Sequence, residues 1–452
     1  MPSPGYPFDL KRLNPPPSVR EIVARLERAG YEAWCVGGAV RDALLGHPHL
    51  DWDLATSATP TQVMQVFKRT VPVGVEFGTV GVLDEHHVMH EVTTFRHDVQ
   101  TDGRHAVVQF GASLDEDLAR RDFTINAIAF HPQREELRDP FEGQLDLKRG
   151  LVRAVGDADA RMREDRLRAL RAIRFASRFG FNIEPATWNA IRNSAPHLGR
   201  LSPERVKQEL EKTMEQVAKP SIALEWWRET GALATLIPSL ATAPAERFEA
   251  LDHLPRGADG DEAAQSAATL ARLAMLFFGE TEATAKHVAK ALRFSNADGA
   301  WIAHLAGAWK EIGAAMDAAV VAGEPDGATL RRWVARVGRT RVGTFFALWT
   351  ALWEARTATA TATATARDAE GAEVLQRVRR LSLEAGRVAY RDPIEVADLA
   401  VDGEDLQSAG VPAGPAMGQM LQALLARVLD DPAMNERGAL LAVVREQTEL
   451  PK

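Results

Sequence analysis

The stretch CVGGAVRDALLGHPHLDWDLATSAT, residues 35–59, decides how the rest of the chain is read. YEAWCVGG reads as a short strand running into a glycine turn, residues 39–46 as a short helix, and DWDLA (51–55) as an alternating strand. Residues two apart on a strand point the same way, so Asp51 and Asp53 project together. Two such carboxylates repel each other unless a cation sits between them, and a hard oxygen-binding ion such as Mg²⁺ suits them. On its own Asp-x-Asp is a weak signal, common on solvated strand edges. Gly37 and Gly38 strengthen it, because a glycine pair ahead of a helix lets backbone N–H groups approach a phosphate. Arg41 adds a guanidinium able to grip the same anion with two hydrogen bonds. A phosphate cradle and a carboxylate pair within 17 residues point to nucleotidyl transfer, in which a metal activates a hydroxyl and neutralises departing pyrophosphate.

The bulk composition sets limits. The 452 residues are 46% hydrophobic, enough for two to four domains, and the 26% of charged residues is ordinary for a soluble chain. The single cysteine, Cys35, excludes a disulfide framework and a cysteine zinc site, and fits a reducing compartment. The proline-rich start, MPSPGYPFDLKRLNPPP, has no signal-peptide core. No apolar run approaches the roughly 20 residues that span a bilayer. A soluble cytoplasmic protein with no membrane partner is expected. The net charge of −8 argues against a broadly basic nucleic-acid binder. Residues 161–212, however, hold twelve Lys or Arg against six Asp or Glu, so a basic stripe exists within an acidic chain.

The organisation changes along the chain. Residues 19–30 have helical periodicity and end at a glycine. TPTQVMQVF opens on a Thr cap and a Pro and is predicted helical. Strands are expected at 79–83, 88–95 and 106–110, and RRDFTINAIAF opens a further helix or strand. After residue 155 amphipathic helices dominate, with 162–179, 186–193, 203–217, 219–231, 264–278 and 281–292 the clearest. The alternating TATATATATA of 357–366 reads as a surface linker. The fold class expected is α+β: a mixed α/β head with a modest sheet, then an elongated all-helical remainder.

GGAVRDALLGHPHLDWDLAT resembles the first signature of the tRNA nucleotidyltransferase/poly(A) polymerase family, in its bacterial-type class II branch. RRDFTINA (120–127) is similar to the second signature. REDRLRALRAIRFASRFGF (163–181) is similar to the nucleotide-selecting Glu-Asp-x-x-Arg signature, and LSPERVKQELEK (201–212) to the helical signature that follows. The four occur in family order over roughly residues 19–240. The resemblance implies a polymerase-beta-like nucleotidyltransferase head at 19–150, a nucleotide-selecting neck at 151–218, a helical body at 219–300 and a helical tail at 301–452. It implies that Asp51 and Asp53 hold catalytic Mg²⁺ and that Gly37, Gly38 and Arg41 contact the triphosphate. Arg120 or Arg121 and Asp122, in the second signature, would contact phosphate and ribose. Asp165 and Arg168, supported by Glu164, would read the base, and Arg171 and Arg174 would complete the pocket. Glu91, on a predicted strand, is a candidate third acidic group at the metal. The segment HDVQTDGRH (97–105) sits where the family has a flexible loop. Partners implied are tRNA, CTP and ATP, with no DNA.

The third motif also has a physical logic. Glu164, Arg168 and Arg171 fall at i, i+4 and i+7, one face of a single helix. Cytosine and adenine both present an amino donor beside a ring-nitrogen acceptor. A carboxylate, which only accepts, beside a guanidinium, which only donates, complements both. Guanine and uracil present the reverse order and would leave buried polar groups unpaired, at about 1–3 kcal/mol each. One Asp165–Arg168 pair therefore suits an enzyme that uses CTP and ATP without a template.

CCA addition to tRNA is the reading that follows. Three alternatives stay open. A poly(A) polymerase would carry a basic Gly-Arg-Arg-Phe-Arg type stretch after the first signature, where this chain has KRTVPVGVEFGTVGV. An enzyme adding only CC or only A is a second. A catalytically idle RNA-binding protein is a third, disfavoured because binding alone needs no metal carboxylates. A His-Asp phosphohydrolase domain is not expected, since Phe277-Phe278-Gly279 stands at its place and His253, His287 and His304 lack ligand spacing. Trp226, Trp227 and Trp333 are expected in the core.

Overall fold

The structure is a computed structural model that describes residues 8–47, 51–101, 106–258, 260–361 and 366–449. Two compact units emerge, residues 1–213 with 222–241, and residues 214–221 with 242–452.

The first unit carries the sheet. In chain order its elements are α1 (Pro17–Arg28), β1 (Ala33–Val36), α2 (Gly38–Leu44), β2 (Leu54–Thr56), α3 (Pro60–Val66), β3 (Thr70–Gly74), β4 (Thr79–Leu83), β5 (Met89–Thr94), β6 (Arg96–Thr101), β7 (Ala106–Phe110), α4 (Leu114–Ala119), β8 (Ala129–His131) and β9 (Glu136–Arg138). A seven-stranded mixed sheet has the order β3-β4-β5-β2-β1-β8-β9. Among the described residues its one parallel pairing joins β2 to β5, with Leu54 opposite Val92; β1 runs antiparallel to both its neighbours. The register brings Glu91 of β5 level with the residue before Leu54, which is Asp53. Trp34, Val36, Ala55, Phe95, Leu118 and Ala129 form a core beside the sheet.

Local chemistry explains several boundaries. Thr59 accepts from Gln62 N at 3.4 Å while Gln62 accepts from Thr59 N at 2.8 Å, and Pro60 begins α3. This is the expected cap with its reciprocal bond added. Ser113 and Glu116 cap α4 in the same way. The strand expected over 51–55 starts at Leu54. The alternation holds even so, with Trp52 buried between exposed Asp51 and Asp53, and Asp53 O accepts from Val36 N at 3.0 Å.

The helices of this unit continue as α5 (Gly143–Arg149), α6 (Ala158–Glu164), α7 (Leu167–Phe179), α8 (Pro185–Ser194), α9 (Pro203–Gln216) and α10 (Pro220–Glu229). The single helix expected over 162–179 is two. Asp165 is extended, at φ −143° and ψ 105°. Its carboxylate accepts from Leu167 N at 3.1 Å, the side-chain-to-backbone bond by which Asp interrupts helices. Trp227 is buried, and half-buried Trp226 packs edge-on against Trp188 at 6.0 Å.

In the second unit the described residues of 242–452 form helices and connecting turns. Buried Phe278, Phe345, Phe346, Trp333 and Trp349 pack within it. Residues 357–361 are not a linker: they end the helix Val342–Thr361, where Thr357 Oγ1 donates to Trp353 O at 2.9 Å and alanine favours helix. Residues 362–365 lie outside the described residues. The expected loop at 97–105 is likewise strand through Thr101, and residues 102–105 lie outside the described ones. His253 approaches Glu354 at 3.6 Å and His304 Nε2 meets Val337 O at 2.8 Å. Among the described residues no helix is long and apolar enough to cross a membrane.

Candidate active site

An open cleft of about 350 Å³ is lined by residues of β1, β2, β4 and β5 and of the α6–α7 junction. Asp53 and Glu91 line it, as do Arg120, Arg121, Asp122, Asp165, Arg168 and Arg171, together with Thr79, Thr93 and Arg96. Eight of the expected site residues, drawn from four separate stretches of chain, therefore converge on one cavity.

One wall is acidic. Partial enclosure, then the negative charges of Asp51 and Glu91, push the Asp53 carboxyl up to about 6 against the opposing pull of Arg121. A cation placed among these carboxylates would offset the repulsion between them. Among the described residues no three His, Cys, Asp or Glu groups form a ready metal cage. Mg²⁺ does not require one, since it commonly takes one or two carboxylates and completes its shell with water and substrate phosphate. The donor set present fits that ion.

The facing wall is basic and is organised by a residue that sequence reading missed. Asp117, 1% exposed, accepts from Arg120 Nε at 2.9 Å and from Arg121 Nη2 at 3.2 Å. Burial opposes the Asp117 charge, but Arg121 and Arg120 prevail and hold the carboxyl below its usual range. Arg121 Nε is buried and makes no hydrogen bond within the described protein, a donor that a bound anion would satisfy. Gly37 explains its own identity here. Its φ is +75°, and a Cβ would lie 2.9 Å from Arg121 Nη1 and 3.9 Å from Asp53 Oδ2.

Asp122 accepts from Arg171 Nε and Nη2 at 2.9 and 2.7 Å and from Asn126 Nδ2 at 2.9 Å. Burial alone would raise its pKa; the Arg171 charge and these bonds outweigh it and hold Asp122 at about 2. At the far end of the cleft Asp165 accepts from Arg205 Nη2 of α9 at 2.8 Å. Arg168 donates to Glu164 at 2.8 Å and to the carbonyl of Arg120 at 2.9 Å. The two groups expected to read a base are not bonded to each other; each is set in place by a different partner. Glu164 ends α6, so it and Arg168 pair across the helix break rather than along one helix face.

Two expected contacts are corrected. Arg41 does not reach the cleft. It is 4% exposed, bonded to Asp42 at 2.7 Å and Asn126 at 2.5 Å, with its guanidinium 4.9 Å from the rings of both Phe175 and Phe179. Helix α2 is buried around Arg41, and burial lowers its pKa against the pull of Asp42. Arg174 is also withdrawn: buried, it pairs with buried Glu209 at 2.5 Å and lies over Phe175. Both residues fasten α7 to its surroundings. Gly38 opens α2 next to this core, its Cβ position 3.5 Å from Arg41 Nη2.

Comparison with known proteins agrees with this geometry. Three family models match the chain: "Poly A polymerase head domain" over 33–153, "Probable RNA and SrmB- binding site of polymerase A" over 180–243, and "tRNA nucleotidyltransferase domain 2 putative" over 344–444. The CCA-adding enzyme of Geobacillus thermodenitrificans is 49% identical over 49% of this chain and 54% of its own length, so that alignment spans about half of each protein. The CCA-adding enzyme of Latilactobacillus sakei is 35% identical over 94% of this chain and 96% of its own. The crystal structure of the Bacillus stearothermophilus CCA-adding enzyme in complex with CTP superposes with a TM-score of 0.70 at 31% identity, over 95% of this chain and 97% of that one. A Thermotoga maritima CCA-adding enzyme complexed with tRNA shares the fold at a TM-score of 0.61 and 21% identity, over 96% of each chain. The chain belongs to the class II tRNA nucleotidyltransferase family, among whose members it is similar to the CCA-adding enzymes.

Proposed function

We propose that the protein is a CCA tRNA nucleotidyltransferase. It adds C, C and A to the 3′ end of tRNA from CTP and ATP, releases pyrophosphate, and uses no nucleic-acid template. The observation that carries this reading is the cleft itself, which sets carboxylates opposite arginines and ends at the Asp165–Arg168 pair.

Asp51 and Asp53, with Glu91 beside them, would hold Mg²⁺. The ion supplies Lewis-acid stabilisation of the α-phosphate and of the attacking 3′-oxygen. Arg120 and Arg121, steered by Asp117, receive the triphosphate, and the Gly37 turn lets it come close. Asp122, fixed by Arg171 and Asn126, accepts from the ribose. Asp165 accepts the exocyclic amino group of cytosine or adenine, and Arg168 donates to the adjoining ring nitrogen. Arg205, Glu164 and the Arg120 carbonyl keep that pair rigid, which is how a hydrogen-bond pattern becomes selective. Arg41 and Arg174 act as positioning residues for α7. In this reading residues 19–150 are the head, 151–218 the neck, 219–300 the body and 301–452 the tail, and the enzyme works in the cytoplasm.

The experiment supplies tRNAs ending at the discriminator base, after one C, or after two Cs, with CTP, ATP or both. Completion of CCA on all three is expected. Addition of A alone to the third, with no C incorporated anywhere, contradicts the proposal.

A further inference from the structure

Two threonines line the cleft beside its carboxylates. Thr79 of β4 and Thr93 of β5 are both half-buried, and their Oγ1 atoms lie 3.0 Å apart. They stand opposite each other in the antiparallel register, as do Gly81 and Glu91 two residues along. Glu91 and Thr93 are two apart on β5 and so share a face. Threonines on the other face of the sheet behave differently. Buried Thr56 and Thr94 give their hydroxyl protons to backbone carbonyls, Glu32 O and Ala58 O, both at 2.7 Å. Among the described residues the side chains of Thr79 and Thr93 bond only to each other. One hydroxyl of the pair donates to the other; the second keeps its proton to donate, and both keep accepting lone pairs. Arg96 fastens this corner of the cleft by donating to the carbonyl of Phe77, two residues before Thr79.

The strand order places this pair relative to the arginines. β1, β2, β5 and β4 are successive neighbours, each about 4.8 Å from the next. The Gly37 turn follows β1 and adjoins Arg121 and Asp53. Asp53 leads into β2, Glu91 and Thr93 belong to β5, and Thr79 belongs to β4. Across the sheet the triphosphate arginine therefore comes first and the carboxylates next. Thr93 and Thr79 follow, one and two strand steps beyond β2, about 5 and 10 Å. In phosphoryl transfer the attacking and leaving oxygens stand roughly in line. With pyrophosphate leaving on the Arg121 side, the attacking 3′-oxygen enters from the side of the threonines. The Glu91 carboxylate beside them disfavours a phosphate there and suits neutral sugar hydroxyls. A 2′-hydroxyl next to the attacking 3′-oxygen can accept from one threonine and donate to the other.

We infer that Thr79 and Thr93 hold the 2′-hydroxyl of the acceptor's terminal ribose, so that the enzyme selects a strand ending in ribose over one ending in deoxyribose. The pair is separate from Asp122, which meets the ribose of the incoming nucleotide. The inference rests on the function proposed above and adds to it a specificity toward the acceptor end.

The test uses the full chain as parent, as the double variant Thr79→Val/Thr93→Val and as Thr93→Ser. Two RNA minihelices lacking CCA serve as acceptors, identical except for ribose or 2′-deoxyribose at the 3′-terminal nucleotide; both keep the 3′-hydroxyl. The kcat/KM for adding C is measured with each acceptor, and the KM for CTP separately. Valine keeps the shape and suits a strand, and urea unfolding checks that the variants are folded. The parent should prefer the ribose acceptor by about 10-fold, the worth of one to two neutral hydrogen bonds. The double variant should bring that preference to within about twofold of none, and Thr93→Ser, which keeps a hydroxyl, should retain it. A pair that only braces the sheet would lower both acceptors together and leave the preference as in the parent, which overturns the inference. A parent that uses the two acceptors equally overturns it as well, as does a rise in the KM for CTP that matches the loss with the ribose acceptor. A parent that adds C to neither acceptor overturns the proposed activity, and the inference with it.

Discussion

Asp117→Asn tests whether the basic wall of the cleft is set by one buried carboxylate. In the parent, Asp117 accepts from Arg120 Nε at 2.9 Å and from Arg121 Nη2 at 3.2 Å, lies 2.8 Å from Arg120 Nη2, and is 1% exposed. Asparagine keeps the shape but carries no charge and has one accepting oxygen. Its amide N–H must face a guanidinium. Hydrogen bonds to a charged group contribute about 1.5–3 kcal/mol and neutral ones about 1 kcal/mol. The change therefore weakens the hold on each arginine by about 1 kcal/mol, and stability of the first unit should fall by about 2 kcal/mol. If the 1 kcal/mol lost at Arg121 is felt in the transition state, kcat/KM for CTP drops roughly 5- to 10-fold. Steady-state incorporation of CTP into a tRNA lacking CCA reads the kinetic effect, and urea unfolding reads the stability. Asp117→Glu should recover part of both. A folded Asp117→Asn protein with kcat/KM within about twofold of the parent would refute the claim that Asp117 orients Arg120 and Arg121 for the triphosphate.

Three further outcomes are expected. Gly37→Ala places a Cβ at φ +75° and 2.9 Å from Arg121 Nη1; the backbone strain alone costs about 1–2 kcal/mol, and the KM for CTP and for ATP should rise together in initial-rate assays, whereas no change in either contradicts the tight turn. Asp165→Ala should relax base choice, raising UTP incorporation relative to CTP by about 10- to 100-fold; an unaltered preference rules out Asp165 as the reader. The carboxyl of Asp122 is depressed to about 2, so its stabilisation is fully present above the unfolded value near 4 and is lost as pH falls from about 4 through 2. Urea midpoints should drop across that window by the equivalent of about 2 kcal/mol in the parent and by less in Asp122→Asn; parallel profiles would contradict the Arg171 pairing.

Much of the site is legible in the chain because its residues sit in tight clusters. Asp51 and Asp53 alternate around Trp52, and Arg120, Arg121 and Asp122 are consecutive. Asp117 was open to detection too, since it stands three and four residues before two arginines, the spacing of a helical ion pair. Arg205 was not. It reaches Asp165 from 40 residues away, and nothing in either segment announces tertiary pairing. Arg41 and Arg174 misled because an arginine in a phosphate-binding motif looks exposed on paper. Arg41 is buried against Phe175 and Phe179 of α7, and Arg174 against Phe175 and Glu209, which only packing reveals. The small strands β3 and β9 escaped because three to five residues carry too little periodicity. The break at Asp165 escaped because neither Gly nor Pro marks it. The TATATATATA run was read by its low complexity when its alanines favoured helix.

The central claim is that protein side chains, with no template, choose C twice and then A. The most direct measurement offers a tRNA lacking CCA to the purified protein with all four nucleoside triphosphates and Mg²⁺, then sequences the 3′ ends formed. The account predicts C, C and A followed by arrest, with U and G at background. Runs of A, an end at CC, or all four bases in comparable amounts would contradict it.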